Sequence, residues 1–262
     1  MTRFDRPVSS IMTQQVVTCS LSTSLSDTLA TLQNTSVNAL VVMNRLGLPE
    51  GVISMSDLVP HGSVSLDEGW RVRMVLGDGT AASVMTGPVA TVSTSASVKQ
   101  AAEVMLDRNI HQLFVTEGTK LVGTVSPRDL MRAVYAERDR TPVRALMSAP
   151  VETVQIGDSI DEAIARLEAT NVQALVVVDE DVPVGTFSRL DALYGRALPE
   201  MLRSSPVEQM MNQSMLTFEA ETPLFRAGGS MAVVDAKRIL VVEGKKLLGI
   251  ITGPDVARWM VR

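Results

Sequence analysis

The residues best suited to chemistry are four aspartates, Asp57, Asp129, Asp191 and Asp255, each three positions after a hydroxyl residue: Ser54, Ser126, Ser188 and Thr252. Each pair follows a glycine and a short apolar run. The clearest copy is Gly123-Thr124-Val125-Ser126-Pro127-Arg128-Asp129-Leu130, with echoes at Gly51–Leu58, Gly185–Ala192 and Gly249–Val256. A hydroxyl-x-x-carboxylate at the start of a helix supports two kinds of chemistry. It can cap the helix, the carboxylate accepting from the backbone at the N-cap. It can also bind a ligand: a carboxylate accepts two hydroxyls of a cis-diol such as a ribose, and the unpaired N–H groups and partial positive charge of a helix N-terminus favour a phosphate. The two roles can coexist. Four copies behind a glycine strand favour a ligand role for at least one or two sites, and they make the chain a fourfold internal repeat.

The elements that must hold these turns repeat in register. Each unit opens on a methionine (Met12, Met85, Met147, Met211) and a strand-forming segment: Val16–Thr18, Val89–Val92, Val151–Val154 and Met215–Phe218. A helix follows, with apolar positions at i, i+4 and i+7 (Leu25, Leu29, Leu32; Val98, Ala102, Met105; Ile160, Ile164, Leu167; Leu224, Gly228, Met231). Ser24, Ser97 and Ser159 stand where N-caps belong. The fourth helix is the weakest, because each of Gly228 and Gly229 costs about 1 kcal/mol relative to alanine. Continuous apolar runs (Ala39–Met43, Leu113–Val115, Ala174–Val178, Ile239–Val242) predict strands covered on both faces. Each pairs as a hairpin with the glycine strand, and a closing helix starts at the hydroxyl residue. The expectation is an α/β fold of four β-α-β-β-α units, at about 8–59, 81–134, 143–195 and 207–260.

A glycine-bearing insert from Pro60 to Thr80 separates the first two units. The charged stretch Glu137–Pro142 joins the second to the third, so the predicted module boundary gives 1–138 and 139–262.

Composition narrows the function. A net charge of −5 argues against general affinity for nucleic acid or an anionic membrane, and 3% aromatic content argues against base-stacking platforms. No apolar run approaches the roughly 18 residues of a membrane span, and a soluble, cytoplasmic protein is expected. One cysteine excludes an internal disulfide, and with two histidines a histidine/cysteine metal site is not expected. Cys19 reads as packing, the 15 methionines as core, and Gly77-Asp78-Gly79 as a turn. No positioned nucleophile, base or metal set emerges, so no enzyme and no catalytic cofactor are expected.

This order of elements resembles the cystathionine-β-synthase (CBS) repeat, a unit used in pairs called Bateman modules. The likeness runs from about Val8 to Met260, and the four-repeat arrangement is similar to the gamma subunit of AMP-activated protein kinase. The resemblance implies clefts between paired repeats that bind an adenine nucleotide (AMP, ADP or ATP) as a regulatory ligand. Asp57, Asp129, Asp191 and Asp255 would then hold ribose hydroxyls, with Ser54, Ser126, Ser188 and Thr252 facing ribose or phosphate. Val17, Ala90, Glu152 and Leu216 would line the adenine, partly through backbone groups. The position before the second strand meets phosphate in the family; here it carries Asn38, His111, Gln173 and Lys237, followed in the last copy by Arg238, with Arg128 and Arg189 nearby. Lys237 and Arg238 also read as a solvated rim. The implied protein is a sensor that signals occupancy to a regulated protein partner by repacking its modules, with a homodimer expected. S-adenosylmethionine, methylthioadenosine or a dinucleotide is the alternative ligand, and a ligand-free interaction scaffold the alternative role.

Overall fold

The computed structural model describes residues 4–35, 37, 39–66, 72–234 and 236–262. The first repeat comprises β1 (Thr18–Ser20), α1 (Leu25–Thr35), β2 (Ala39–Met43), β3 (Pro49–Ser54) and α2 (Met55–Leu58); β4 (Gly62–Leu66), β5 (Val72–Leu76) and α3 (Ala81–Val84) follow. The second holds β6 (Thr91–Ser93), α4 (Val98–Asp107), β7 (Leu113–Glu117), β8 (Lys120–Val125) and α5 (Pro127–Ala136). The third holds β9 (Thr153–Gln155), α6 (Ile160–Glu168), β10 (Ala174–Asp179), β11 (Val182–Ser188) and α7 (Arg189–Arg196), with α8 (Glu200–Arg203) after it. The fourth holds β12 (Thr217–Glu219), α9 (Leu224–Val234), β13 (Ile239–Glu243), β14 (Lys246–Ile251) and α10 (Gly253–Val261).

Every repeat builds the same three-stranded sheet, a short first strand parallel to the second and the third antiparallel to it. The expected hairpins form at all four positions. The first strands begin later than the apolar pattern predicted. Val17, Ala90, Glu152 and Leu216 precede the strands, and only their carbonyls join the sheet, accepting from Val41, Phe114, Val176 and Leu240 at 2.9–3.1 Å. The second strands are buried along almost their whole length, as their unbroken apolar runs require. One face meets the helices. In β10 and β13 the other faces meet each other, through Val176, Val178 and Leu240.

Repeats associate through their opening segments. Thr13 bridges Thr124 of the second repeat's glycine strand, and Thr86 bridges Val52 of the first. Ser148 bridges Ile250 and Asn212 bridges Thr186 in the same way. The methionine before each bridging residue lies on the partner's glycine. A Cβ at Gly51, Gly123, Gly185 or Gly249 would stand within 3 Å of the sulfur of Met85, Met12, Met211 or Met147 respectively. The repeated glycine is thus a close-approach site for a neighbouring repeat.

The contacts between pairs are unequal. Helices α5 and α9 of the second and fourth repeats cross closely, and α10 packs on α4 and α5. Gly228 and Gly229 are what allow the crossing: a Cβ on Gly228 would lie 2.8 Å from the Met131 carbonyl oxygen, and one on Gly229 would meet the Tyr135 ring. The two glycines, which sequence alone marks as a helical weakness, are the contact surface of α9. The linker is anchored as well. Asp139 is buried, its Oδ1 accepting from Thr141 N–H and its Oδ2 from the Trp259 indole at 3.0 Å.

The first repeat departs from the expected unit. Its closing helix α2 has only four residues, and the insert is a β-hairpin, β4–β5, instead of a plain linker. Met74 and Leu76 of the hairpin join the core of α1 and β2, together with Leu193 of α7. The hairpin thus packs toward the third repeat through α7.

Candidate functional site

The four hydroxyl-x-x-aspartate turns share one geometry. In each, Oδ2 of the aspartate accepts the backbone N–H and the side-chain hydroxyl of the N-cap residue: Ser54 to Asp57, Ser126 to Asp129, Ser188 to Asp191 and Thr252 to Asp255, all at 2.6–2.8 Å. Capping is real at every copy, and it directs each hydroxyl at its own aspartate.

The other oxygen, Oδ1, divides the turns into two classes. In the even repeats it is filled from inside the protein. Asp129 Oδ1 accepts the Thr13 hydroxyl at 3.0 Å and the Arg132 guanidinium at 3.3 Å. Asp255 Oδ1 accepts from Ser148 and Arg258. Both carboxylates are 2% exposed, so a ribose there would have to displace a partner. In the odd repeats the aspartates are half-buried and lack an arginine at i+3, where Pro60 and Tyr194 stand. Asp57 Oδ1 has only a long contact with Thr86, 3.4 Å, and Asp191 Oδ1 accepts no hydrogen bond among the described residues.

Arg238 feels the charge of Asp191. Burial pushes its guanidinium below the ordinary arginine range, and the Asp191 charge opposes that shift. Burial, and to a lesser degree the same carboxylate, raises the Tyr194 hydroxyl above its usual value. Arg238 nevertheless makes no hydrogen bond or ion pair among the described residues. It precedes β13, so it shares a face with Leu240, which packs against Val176 and Val178 of the third repeat. A carboxylate on one repeat and, on its partner, a guanidinium with no hydrogen bond or ion pair among the described residues thus lie near enough for one charge to act on the other.

The remaining candidates are placed differently. Arg128 donates to the Ala232 carbonyl at the end of α9 at 2.8 and 3.1 Å, and Arg189 to the carbonyls of Val172 and Thr170. Both arginines hold backbone. His111 is exposed beside the α10 N-terminus, in a cavity of about 110 Å³ lined also by Ile110, Pro127, Gly253, Pro254 and Arg258. That volume is too small for a nucleoside. Lys237 and Gln173 are exposed; Asn38 lies outside the described residues. The adenine-lining candidates keep equivalent positions in all four repeats, with Ala90 buried, Val17 and Leu216 half-buried and Glu152 exposed. Their carbonyls are committed to the sheet, so a base would be read by their side chains and N–H groups. Among the described residues, no cluster of histidine, cysteine, aspartate and glutamate has the makings of a metal site, and no helix is long and apolar enough to cross a membrane.

The family model of the CBS domain matches four segments, residues 8–61, 81–136, 143–196 and 207–262. The chain belongs to the CBS-domain family. It is 28% identical over 277 aligned positions to uncharacterized protein MJ1404 of Methanocaldococcus jannaschii, covering 98% of this chain and 62% of that one, so it spans less than two thirds of that relative. Among solved structures it is similar to protein MJ1225 of the same organism, described as a candidate archaeal homologue of g-AMPK (TM-score 0.76, 18% identity, 97% of this chain and 99% of that one). It is also similar to an uncharacterized conserved protein of Pyrococcus horikoshii (TM-score 0.68, 22% identity, 98% and 100% coverage). These two likenesses concern the fold: four CBS repeats in one chain, as in Bateman-type structures.

Proposed function

We propose that this CBS-domain protein is a regulatory sensor of an adenine nucleotide, AMP, ADP or ATP, and that its principal site is the cleft flanked by Asp191 and Arg238. The observation that carries the reading is Arg238, half-buried and without a hydrogen bond or ion pair among the described residues. A guanidinium withdrawn from water without an acceptor is costly, and an anion entering the cleft relieves that cost. Asp191 Oδ1 accepts a ribose hydroxyl, the N-terminus of α7 adds its partial positive charge, and Arg238 meets the phosphate. Leu216, across the pair, meets the base.

The remaining turns enter as secondary sites. Asp57 offers the same ribose acceptor in the first pair. At Asp129 and Asp255 a ribose exchanges with Arg132 or Arg258, after which His111 and Lys237 lie on the phosphate side. The sensor acts in the cytoplasm, as a homodimer, without catalysis, and passes occupancy to a protein partner. For that, the ligand must prefer one packing of the two pairs, since only differential affinity shifts such an equilibrium.

S-adenosylmethionine, methylthioadenosine or a dinucleotide is the competing ligand class, and an empty scaffold the competing role; the filled Oδ1 sites of Asp129 and Asp255 favour the scaffold at those two turns. Thermal unfolding of ligand-free protein with AMP, ADP, ATP, S-adenosylmethionine and NAD separates them. A ligand at 100 times its dissociation constant adds about 2.7 kcal/mol. Stabilisation by the phosphorylated adenosines alone supports the sensor, and no shift with any of the five supports the scaffold.

A further inference from the structure

The first pair of repeats repeats the architecture of the second, with one change of chemistry at the cleft. The bridges Val52↔Thr86 and Thr13↔Thr124 correspond to Thr186↔Asn212 and Ser148↔Ile250, so Asp57 corresponds to Asp191. The residue immediately before β7 corresponds to the one immediately before β13, and there Gln112 stands in place of Arg238.

Gln112 is not an idle substitute. Its Oε1 is buried and accepts no hydrogen bond, one of two such side-chain atoms among the described residues. Leu113 and Val115 of β7 point into the helix-side core, so alternation puts Gln112 with Phe114 on the opposite face, the one that Arg238 and Leu240 share in the second pair. An orphaned buried acceptor asks for an N–H or O–H donor, and a phosphate offers none when ionised. With no guanidinium at this position, an anion there would also be desolvated without a counter-charge.

We infer that the two pairs sort their ligands by charge: the Asp191–Arg238 cleft takes a nucleoside phosphate, and the Asp57–Gln112 cleft takes a nucleoside that is uncharged at its 5′ end and carries a hydrogen-bond donor there. The inference rests on the nucleotide-sensor reading and assigns different ligands to two of its clefts. A chain that holds both reads a ratio of phosphorylated to unphosphorylated nucleoside, where a chain with matched clefts would read one concentration twice.

The test is calorimetric titration of the full-length, ligand-free protein with AMP, adenosine and 5′-deoxyadenosine. The expected result is one principal AMP site, tighter than any at Asp129 or Asp255 and weakened roughly tenfold or more by Arg238→Gln, and one adenosine site that persists in saturating AMP and is lost in Asp57→Ala. 5′-Deoxyadenosine, which lacks the 5′ donor, should bind the second site about tenfold more weakly than adenosine. Gln112→Arg should create a second AMP site; should that variant not fold, the Arg238→Gln and 5′-deoxyadenosine measurements still decide. Two equal AMP sites in the wild type, displacing adenosine from both, would overturn the sorting and leave the nucleotide reading intact. Binding of none of the three would overturn both.

Discussion

The Thr13 hydroxyl donates to Asp129 Oδ1 across 3.0 Å, although 116 residues separate them in the chain. That bond joins the first repeat's opening segment to the second repeat's turn, and with the Ser126 and Arg132 contacts it completes the carboxylate's coordination. A turn that sequence marks as a ligand site is, in its resting form, also a joint between repeats.

Asp129→Ala should therefore cost more stability than Asp57→Ala. The first change leaves the Ser126 N–H and the Thr13 hydroxyl without their buried acceptor, about 2–3 kcal/mol, whereas the second removes mainly a half-exposed cap, about 1 kcal/mol. Urea unfolding of the two variants checks the order, and equal midpoints would contradict it.

Gly228→Ala tests whether α9 is shaped by packing or by propensity. Propensity alone predicts a gain of about 1 kcal/mol in a helix interior. The Met131 carbonyl oxygen, 2.8 Å from the new Cβ, is backbone and cannot swing away, so a net loss of about 1–3 kcal/mol is expected. Gly229→Ala meets only the Tyr135 ring, which can turn, and should be close to neutral. Thermal unfolding separates the two at about 2–4 °C per kcal/mol.

Much of this fold was legible in residue patterns, for identifiable reasons. The i, i+4, i+7 positions of the four core helices are buried as their spacing predicts, and the capping serines at 97 and 159 accept from Gln100 and Glu162. Local rules suffice for those features. The contacts that hold paired repeats together were not legible, because they depend on methionine sulfurs meeting glycines distant in the chain, as Met12 meets Gly123 and Met147 meets Gly249. The hairpin β4–β5 was read as a linker because its glycines and serines dilute the apolar alternation, and its strands gain their core contacts from α1 and α7. At the site, the aspartates were found but their division into filled and open classes was not. A signal for it was present: arginine follows the aspartate by three positions in Asp129–Arg132 and Asp255–Arg258 and is missing after Asp57 and Asp191. The one-turn spacing puts both groups on one helix face.

Glu162 gives the fold a defined acid sensitivity. Its carboxylate accepts the Ser159 N–H and hydroxyl at the start of α6, which holds it below its ordinary range. A carboxylate with a depressed folded-state pKa contributes stability that is complete above its unfolded value and is lost as pH falls through the folded one. The stability gap between wild type and Glu162→Gln should be constant near neutrality and shrink in acid below the ordinary glutamate range. Paired unfolding curves across pH check it; a gap that widens in acid would contradict the cap.

The central claim is that Arg238 and Asp191 together hold a nucleotide, and titration of AMP into the ligand-free wild type, Asp191→Ala and Arg238→Gln tests it most directly. The account predicts that each substitution weakens AMP binding by roughly tenfold or more, while the melting temperature of the unliganded protein stays nearly unchanged in Arg238→Gln and falls modestly in Asp191→Ala, which also loses the Ser188 cap, about 1 kcal/mol. AMP binding of undiminished affinity in both variants would contradict it.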